Sequence, residues 1–373
     1  MFSGGDDSMS SDGCSSPYVI PRQLTLLKGH RKAITCIDTT ASSGTEVATG
    51  AEDLTVRLWD MRTGRTSRSI LGCFDDSIDS VKYNKTTANV LYVTCGNSLY
   101  TFDLRMEKKE TVLIKSPSIH NSDITSFDDI NCLATTTNGQ QLAIGSDGGD
   151  VYVVDCNTKR RYNVKRKLSR GHSSLVASVS FHPDDRSKEI VSGGLDCMLC
   201  CWNYSTGRLV YSINMASYAL SQVNEGGLGQ LVNPPFVHSL SYLPGGGAVV
   251  AALGDGSVRL VGRRGGTGAV LAASDELSGH SGTATCLHCP SSGDRTCDGV
   301  APASMCYTGG VDKTVKAWRV QEVGGQGALS HSWTLLHSEK VNALGSLCER
   351  GGGCAAPLLV ADVTPALTLY TVL

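Results

Sequence analysis

The residues Gly171-His172, followed by Ser192-Gly-Gly-Leu-Asp196-Cys-Met-Leu-Cys-Cys-Trp202, decide the fold, because their spacing recurs along the chain. Gly29-His30 precedes Thr49, Asp53 and Trp59, and Gly279-His280 precedes Thr308, Asp312 and Trp318. In each copy a hydroxyl residue stands four positions before the aspartate, and the tryptophan stands six after it. A constellation repeated at this period marks a repeat architecture. The segments Thr55-Val-Arg-Leu-Trp59 and Thr314-Val-Lys-Ala-Trp318 alternate and are rich in β-branched and aromatic residues, which predicts strands. Turn residues precede them at Glu52-Asp53 and Val311-Asp312. No long helical pattern with caps interrupts the chain, so the fold class is all-β.

Weaker copies fill the gaps. The second runs through Val81 to Phe102, and the third from His120 to Val154. The fifth takes in His238 and Asp255 and ends at Val261; the seventh runs from His337 to Tyr370. The paired Gly-His and Asp-x-x-x-x-x-Trp signals resemble the WD-repeat family, whose fold is the β-propeller. Seven copies imply a seven-bladed β-propeller over residues 17–373, behind a disordered segment at 1–16. Thr368-Leu-Tyr-Thr-Val-Leu373 stops without an outer strand, whereas Arg22-Gln-Leu-Thr-Leu-Leu27 has no blade of its own. Pairing of this N-terminal strand with the last blade closes the ring and removes two exposed edges.

The resemblance also gives the recurring residues a structural role. His30, Thr49, Asp53 and Trp59 would form a buried hydrogen-bond chain, as would His172, Ser192, Asp196 and Trp202, and His280, Thr308, Asp312 and Trp318. The chemistry suits that role: an indole N–H only donates, a hydroxyl relays, and an imidazole paired with a carboxylate completes the chain. A catalytic triad would occur once, beside an oxyanion hole, so no enzyme activity is expected. Cys286-Leu-His288-Cys289 with Cys297, and Cys197 with Cys200 and Cys201, are the places where zinc could be sought. Neighbouring strand residues face opposite sides of a sheet, so no metal or other cofactor is expected there.

Composition narrows the partners. The 373 residues carry 33 Lys+Arg against 35 Asp+Glu, a net charge of -2, which disfavours a nucleic-acid binder that works by counterion release. The head MFSGGDDSMSSDGCSS lacks an apolar core, and Ala248–Leu253 is far too short to span a bilayer. The 15 cysteines are therefore expected as reduced thiols in the cytoplasm, the nucleus or both. The 42 glycines suggest many turns, and the basic run Lys159–Lys167 reads as an outer strand of blade three. The long connection Tyr218–Val232 and the stretch Pro290–Pro302 could hold partner contacts or simply be loops.

The remaining signal lies at a strand exit. Trp59-Asp60-Met61-Arg62 is similar to the Trp-Asp-x-Arg box of cullin-4 ubiquitin ligase substrate receptors. Phe102-Asp103-Leu104-Arg105 repeats it, with Phe for Trp and Gly96 where the first aspartate would stand. That resemblance implies a monomeric propeller within a complex. Asp60 and Arg62 with Asp53, and Asp103 with Arg105, would then dock on the damaged-DNA-binding-protein adaptor, leaving another surface for an unknown client. The alternative from the residues alone is a polar turn on a general protein-interaction scaffold.

Overall fold

The computed structural model describes residues 21–40, 45–105, 113–114, 119–121, 128–156, 163–219, 233–264, 267–273, 279–290, 304–323, 326–347 and 357–371. The expected 1–16 segment, most of the 218–232 connection and nearly all of 290–302 lie outside them. The described strands form seven sheets, antiparallel except for one short added strand, arranged as the blades of a propeller. Strands within a blade are called a to d, from the channel outward. Blade 1, for example, is Ile34–Thr39, Glu46–Ala51, Thr55–Asp60 and Arg65–Leu71.

The ring closes as the sequence predicts. Arg22–Lys28 pairs antiparallel with Ala366–Thr371, so the chain's first described strand is strand d of blade 7. Across the same junction Asn342 donates its side-chain N–H to the Ile34 carbonyl at 3.0 Å. Leu27 and Leu367 of blade 7 pack with Ile34, Val47 and Trp59 of blade 1.

Seven apolar clusters make the core, one at each interface between neighbouring blades. Each sheet thus buries both faces, which explains strands such as Ala248–Leu253 that are apolar throughout. The close approach of blades also accounts for some of the glycines. A Cβ on Gly50, Gly145, Gly193 or Gly309 would fall 2.3–2.7 Å from a side-chain atom, in each case with an Ile or Val that opens the next blade within reach. These glycines sit inside strands, where their use is packing and not turning.

Register identifies equivalent positions even where the residues differ. Every blade carries a bulge after the first residue of strand a, from Ile34/Cys36 in blade 1 to Val341/Ala343 in blade 7. Counting from it, the place of Trp59 is taken by Phe102, Val154, Trp202, Val261, Trp318 and Tyr370. Two expected repeat starts move. Ile119–Asn121 is strand d of blade 2, so His120 ends that blade and does not open the third. His238 lies on strand a of blade 5, beyond the link where a Gly-His pair would stand. Both shifts have one cause: in degenerate repeats the nearest histidine was a poor ruler, whereas hydrogen-bond register is not. The basic run contributes Asn163–Leu168 as the outer strand of blade 3.

One connection is unusual. Between strands c and d of blade 2 the chain reaches back, and Leu113–Ile114 adds in parallel to strand d of blade 1 as a fifth strand. This covers part of an edge that would otherwise offer unpaired backbone groups.

Removing residues 22–28 should uncover the edge of Ala366–Thr371 and lower the melting temperature sharply. Leu27→Ala alone should cost about 2–4 kcal/mol in urea unfolding. A truncated chain that melts like the intact one would disprove closure by this strand. Gly193→Ala should destabilise by about 1–3 kcal/mol, because its Cβ meets Val237 of blade 5 across a packed interface; an unchanged denaturation midpoint would show that the blades can part.

Candidate functional site

Three blades carry the same buried chain of hydrogen bonds. The Trp59 indole donates to Thr49 Oγ1 at 2.8 Å, and His30 Nε2 lies 2.7 Å from the same hydroxyl. His30 Nδ1 faces both Asp53 oxygens at 3.2 Å. Trp202, Ser192, His172 and Asp196 repeat this at 2.9, 2.8 and 3.1 Å. Trp318, Thr308, His280 and Asp312 do so at 2.8, 2.8 and 3.0 Å. The Gly of Gly-His lets the indole pack: a Cβ on Gly171 would come within 2.2 Å of the Trp202 ring.

The aspartates do more than face histidine. Asp53 accepts the Arg31 backbone N–H and the Thr55 hydroxyl, and Asp312 accepts those of Ser281 and Thr314. Leu54, Cys197 and Lys313, which follow the three aspartates, all take positive φ, so the carboxylates hold a tight b–c turn. Burial opposes the charge on Asp53, but the hydrogen bonds from His30, Thr55 and Arg31 outweigh it and hold the carboxyl down at about 2. Asp312 is held at about 2 by the same balance, through His280, Thr314 and Ser281.

The other blades solve the same problem differently. Blade 2 has Phe74 in the link where His30 stands in blade 1, Val93 in the place of Thr49 and Phe102 in that of Trp59. Phe74 and Phe102 meet at 6.0 Å between ring centroids, so no polar atom needs a partner. Blades 3 and 5 put Ile144 and Ala251 at the hydroxyl position beside Val154 and Val261. In blade 5 Asp255 pairs instead with buried Arg259 at 3.2 Å, and Arg259 also donates to the Met215 carbonyl at 2.8 Å. In blade 7 Tyr370 brings its own hydroxyl, 2.8 Å from His337 Nδ1, while His337 Nε2 meets Asp362 at 2.8 Å. Asp362 occupies the register place of Gly194 and Gly310. A Cβ there points at the histidine, within 2.8 Å of His172 Nδ1 or 2.6 Å of His280 Nδ1. Spacing concealed this fourth imidazole–carboxylate pair, because the carboxylate comes two register places early.

The cysteine motifs do not converge. Cys286 packs between blades 6 and 7, whereas Cys289 packs between blades 5 and 6; Cys200 and Cys201 likewise face opposite interfaces. His288 lies in the channel, its Nε2 2.8 Å from Ser346 Oγ. Among the described residues no group of three or more His, Cys, Asp or Glu could hold a metal ion. Burial pushes the Cys36, Cys132, Cys200 and Cys286 thiols up to about 12, which leaves them protonated packing groups.

The exposed candidates lie at the exits of strand c. In an antiparallel blade strands a and c run the same way, so the a–b and c–d turns open on one face and the b–c turns on the other. Arg62 returns onto Asp60 through Nε at 3.2 Å and Nη2 at 2.9 Å, while its backbone N–H donates to the same carboxylate. Arg105 does the same to Asp103 at 2.9 and 2.6 Å. The two arginine side chains stay 74% and 60% exposed. The structure therefore brings Asp60, Arg62, Asp103 and Arg105 onto the face of the c–d turns. It separates Asp53 from them: that residue sits at the other end of strand c, roughly 20 Å away, with its carboxylate enclosed. The opposite face is acidic over blades 2 and 3, where burial, with Asp76, Asp129 and Asp147 nearby, raises Asp79 to about 7 although it accepts the Gly96 N–H.

The two faces, the seven blades and the three full hydrogen-bond chains are those of a seven-bladed β-propeller that carries WD40 repeats, an architecture that suggests a protein-interaction scaffold. The WD domain, G-beta repeat family model matches residues 21–60, 163–203 and 273–319, each match ending one residue beyond Trp59, Trp202 or Trp318. The chain is similar to the WD repeat-containing protein 53 homolog of Dictyostelium discoideum, at 25% identity over 63% of this chain and 63% of that protein. It is also 26% identical to Protein tipD of the same organism over 44% of this chain and 25% of that one. The chain thus spans less than two thirds of the length of these curated relatives. The WD40 β-propeller domain of Doa1 superposes with a TM-score of 0.66 at 15% identity, covering 95% of this chain and 97% of that one. No helix among the described residues is long and apolar enough to cross a membrane.

The depressed carboxyls make a prediction with a definite sign. A carboxyl whose folded pKa lies below its unfolded value stabilises fully above about 4 and loses that contribution as pH falls towards 2. Asp53→Asn with Asp312→Asn should cost about 1–2 kcal/mol per site at pH 7 and flatten the loss of stability between pH 4 and 2. Urea midpoints measured across that range decide it; identical acid limbs for variant and parent would refute the role of these pairs.

Proposed function

We propose that this scaffold is a substrate-receptor subunit of a cullin-4 RING ubiquitin ligase, docking on the damaged-DNA-binding-protein adaptor. The observation that carries this reading is the pair of preorganised Asp-held arginines on one face of two consecutive blades. A guanidinium has five N–H donors in a rigid fork. Asp60 and Asp103 engage the Nε/Nη2 edge, so the Nη1/Nη2 edge of each arginine faces solvent and suits a partner carboxylate or carbonyl. Arginines of this kind are enriched among interface hot spots. Asp53 supports the blade in this scheme and does not touch the adaptor.

The acidic b–c face then remains open for the client. Residence in the cytoplasm, the nucleus or both belongs to the same proposal, and the eleven free cysteines of the described residues suit a reducing compartment. A general scaffold for another multiprotein complex would use the same forks for a different partner.

The test is a binding measurement with purified adaptor. Arg62→Ala combined with Arg105→Ala should weaken binding by about a hundredfold, with the melting temperature unchanged because exposed ion pairs stabilise little. Binding by the double variant equal to that of the parent would remove the forks from the interface.

A further inference from the structure

A third arginine reproduces the fork without the tryptophan that precedes the first. In the a–b turn of blade 4, Arg186 donates to Asp184 through Nε at 3.0 Å and Nη2 at 2.9 Å, and its backbone N–H meets the same carboxylate at 3.0 Å. The side chain is 91% exposed. Its turn opens on the face that carries Arg62 and Arg105, nearer the channel, since strand a lines the axis.

The turns of that face are joined to one another. Arg68 of blade 1 donates to the Leu104 carbonyl, inside the turn that holds Arg105. Leu104 N–H donates to Asn89 in the a–b turn of blade 2, and Asn84 of that turn donates to Gly139 in the corresponding turn of blade 3. Asn138 N–H and Thr137 N–H then reach Asp185 of blade 4 at 2.9 and 3.2 Å. The two neighbouring aspartates thus divide the work. Asp185 anchors the turn to blade 3, and Asp184 aims Arg186 outward.

An exposed ion pair between residues two apart adds little to stability, so folding does not require this arrangement. What it does achieve is to hold a charged fork in one orientation, which lowers the ordering cost of binding. We infer that Arg186 is a third contact of the docking face, and that the three forks together receive carboxylate groups of one protein partner. This inference rests on the adaptor-docking reading and extends its footprint from blades 1 and 2 to blade 4.

The experiment titrates the full chain with purified adaptor over a series of salt concentrations. Arg186→Ala should weaken binding about tenfold and make the salt dependence shallower, with no change in melting temperature. Asp184→Asn, which keeps the cation but releases its aim, should fall between the two. If Arg186→Ala binds like the parent while Arg62→Ala/Arg105→Ala loses the adaptor, the third contact is wrong and the docking reading stands. If the unaltered chain does not bind the adaptor, both are wrong.

Discussion

A buried tryptophan brings one N–H into a space that water does not reach, and leaving that donor unpaired would cost more than its hydrogen bond gains. Trp59, Trp202 and Trp318 each give the proton to a hydroxyl on strand b, and the hydroxyl in turn needs the histidine, which needs the aspartate. The chain of obligations runs across the blade from strand c to the link that enters it. It ties the b–c turn of a repeat to the entrance of the same repeat, so each of these three blades is locked by its own polar thread. Where the tryptophan is absent the hydroxyl is absent too: Val93, Ile144, Ala251 and Val360 take its place. An orphaned buried hydroxyl would be a liability, so tryptophan and hydroxyl are replaced together. Blade 7 shows the limiting case, since Tyr370 carries the hydroxyl on its own ring and reaches His337 without a relay.

The same economy divides the surface. Asp53, Asp196 and Asp312 of the b–c turns face into their blades, where their carboxylates meet histidine and backbone N–H groups. Asp60, Asp103 and Asp184 of the c–d and a–b turns instead hold arginines that project into solvent. One residue type thus does two opposite jobs on the two faces, and the distinction is set by strand direction. Asp53 and Asp60 lie only seven residues apart, yet they belong to different surfaces because a strand separates them.

Much of this was legible in the residues. The threefold spacing of hydroxyl, aspartate and tryptophan implied the propeller, and a spare strand at Arg22–Leu27 implied the closure observed with Ala366–Thr371. Both are local patterns whose meaning does not depend on what packs beside them. Degenerate repeats were less readable: His120 and His238 were plausible openings by type, but their strands place them elsewhere. Asp362 was hidden because its carboxylate reaches His337 from a different register place. Arg186 was hidden because no tryptophan marks its turn.

The amino-acid order by itself determined the number of blades, the three complete hydrogen-bond chains and the way the ring is shut, since these follow from spacing and from strand periodicity. Only the tertiary structure decided which substitute set fills each degenerate blade, and which charged residues share a face. Those questions turn on interblade register and strand direction, which bring Arg62, Arg105 and Arg186 onto one face while setting Asp53 apart. Such proximity arises from packing between segments far apart in the chain, and no local pattern encodes it.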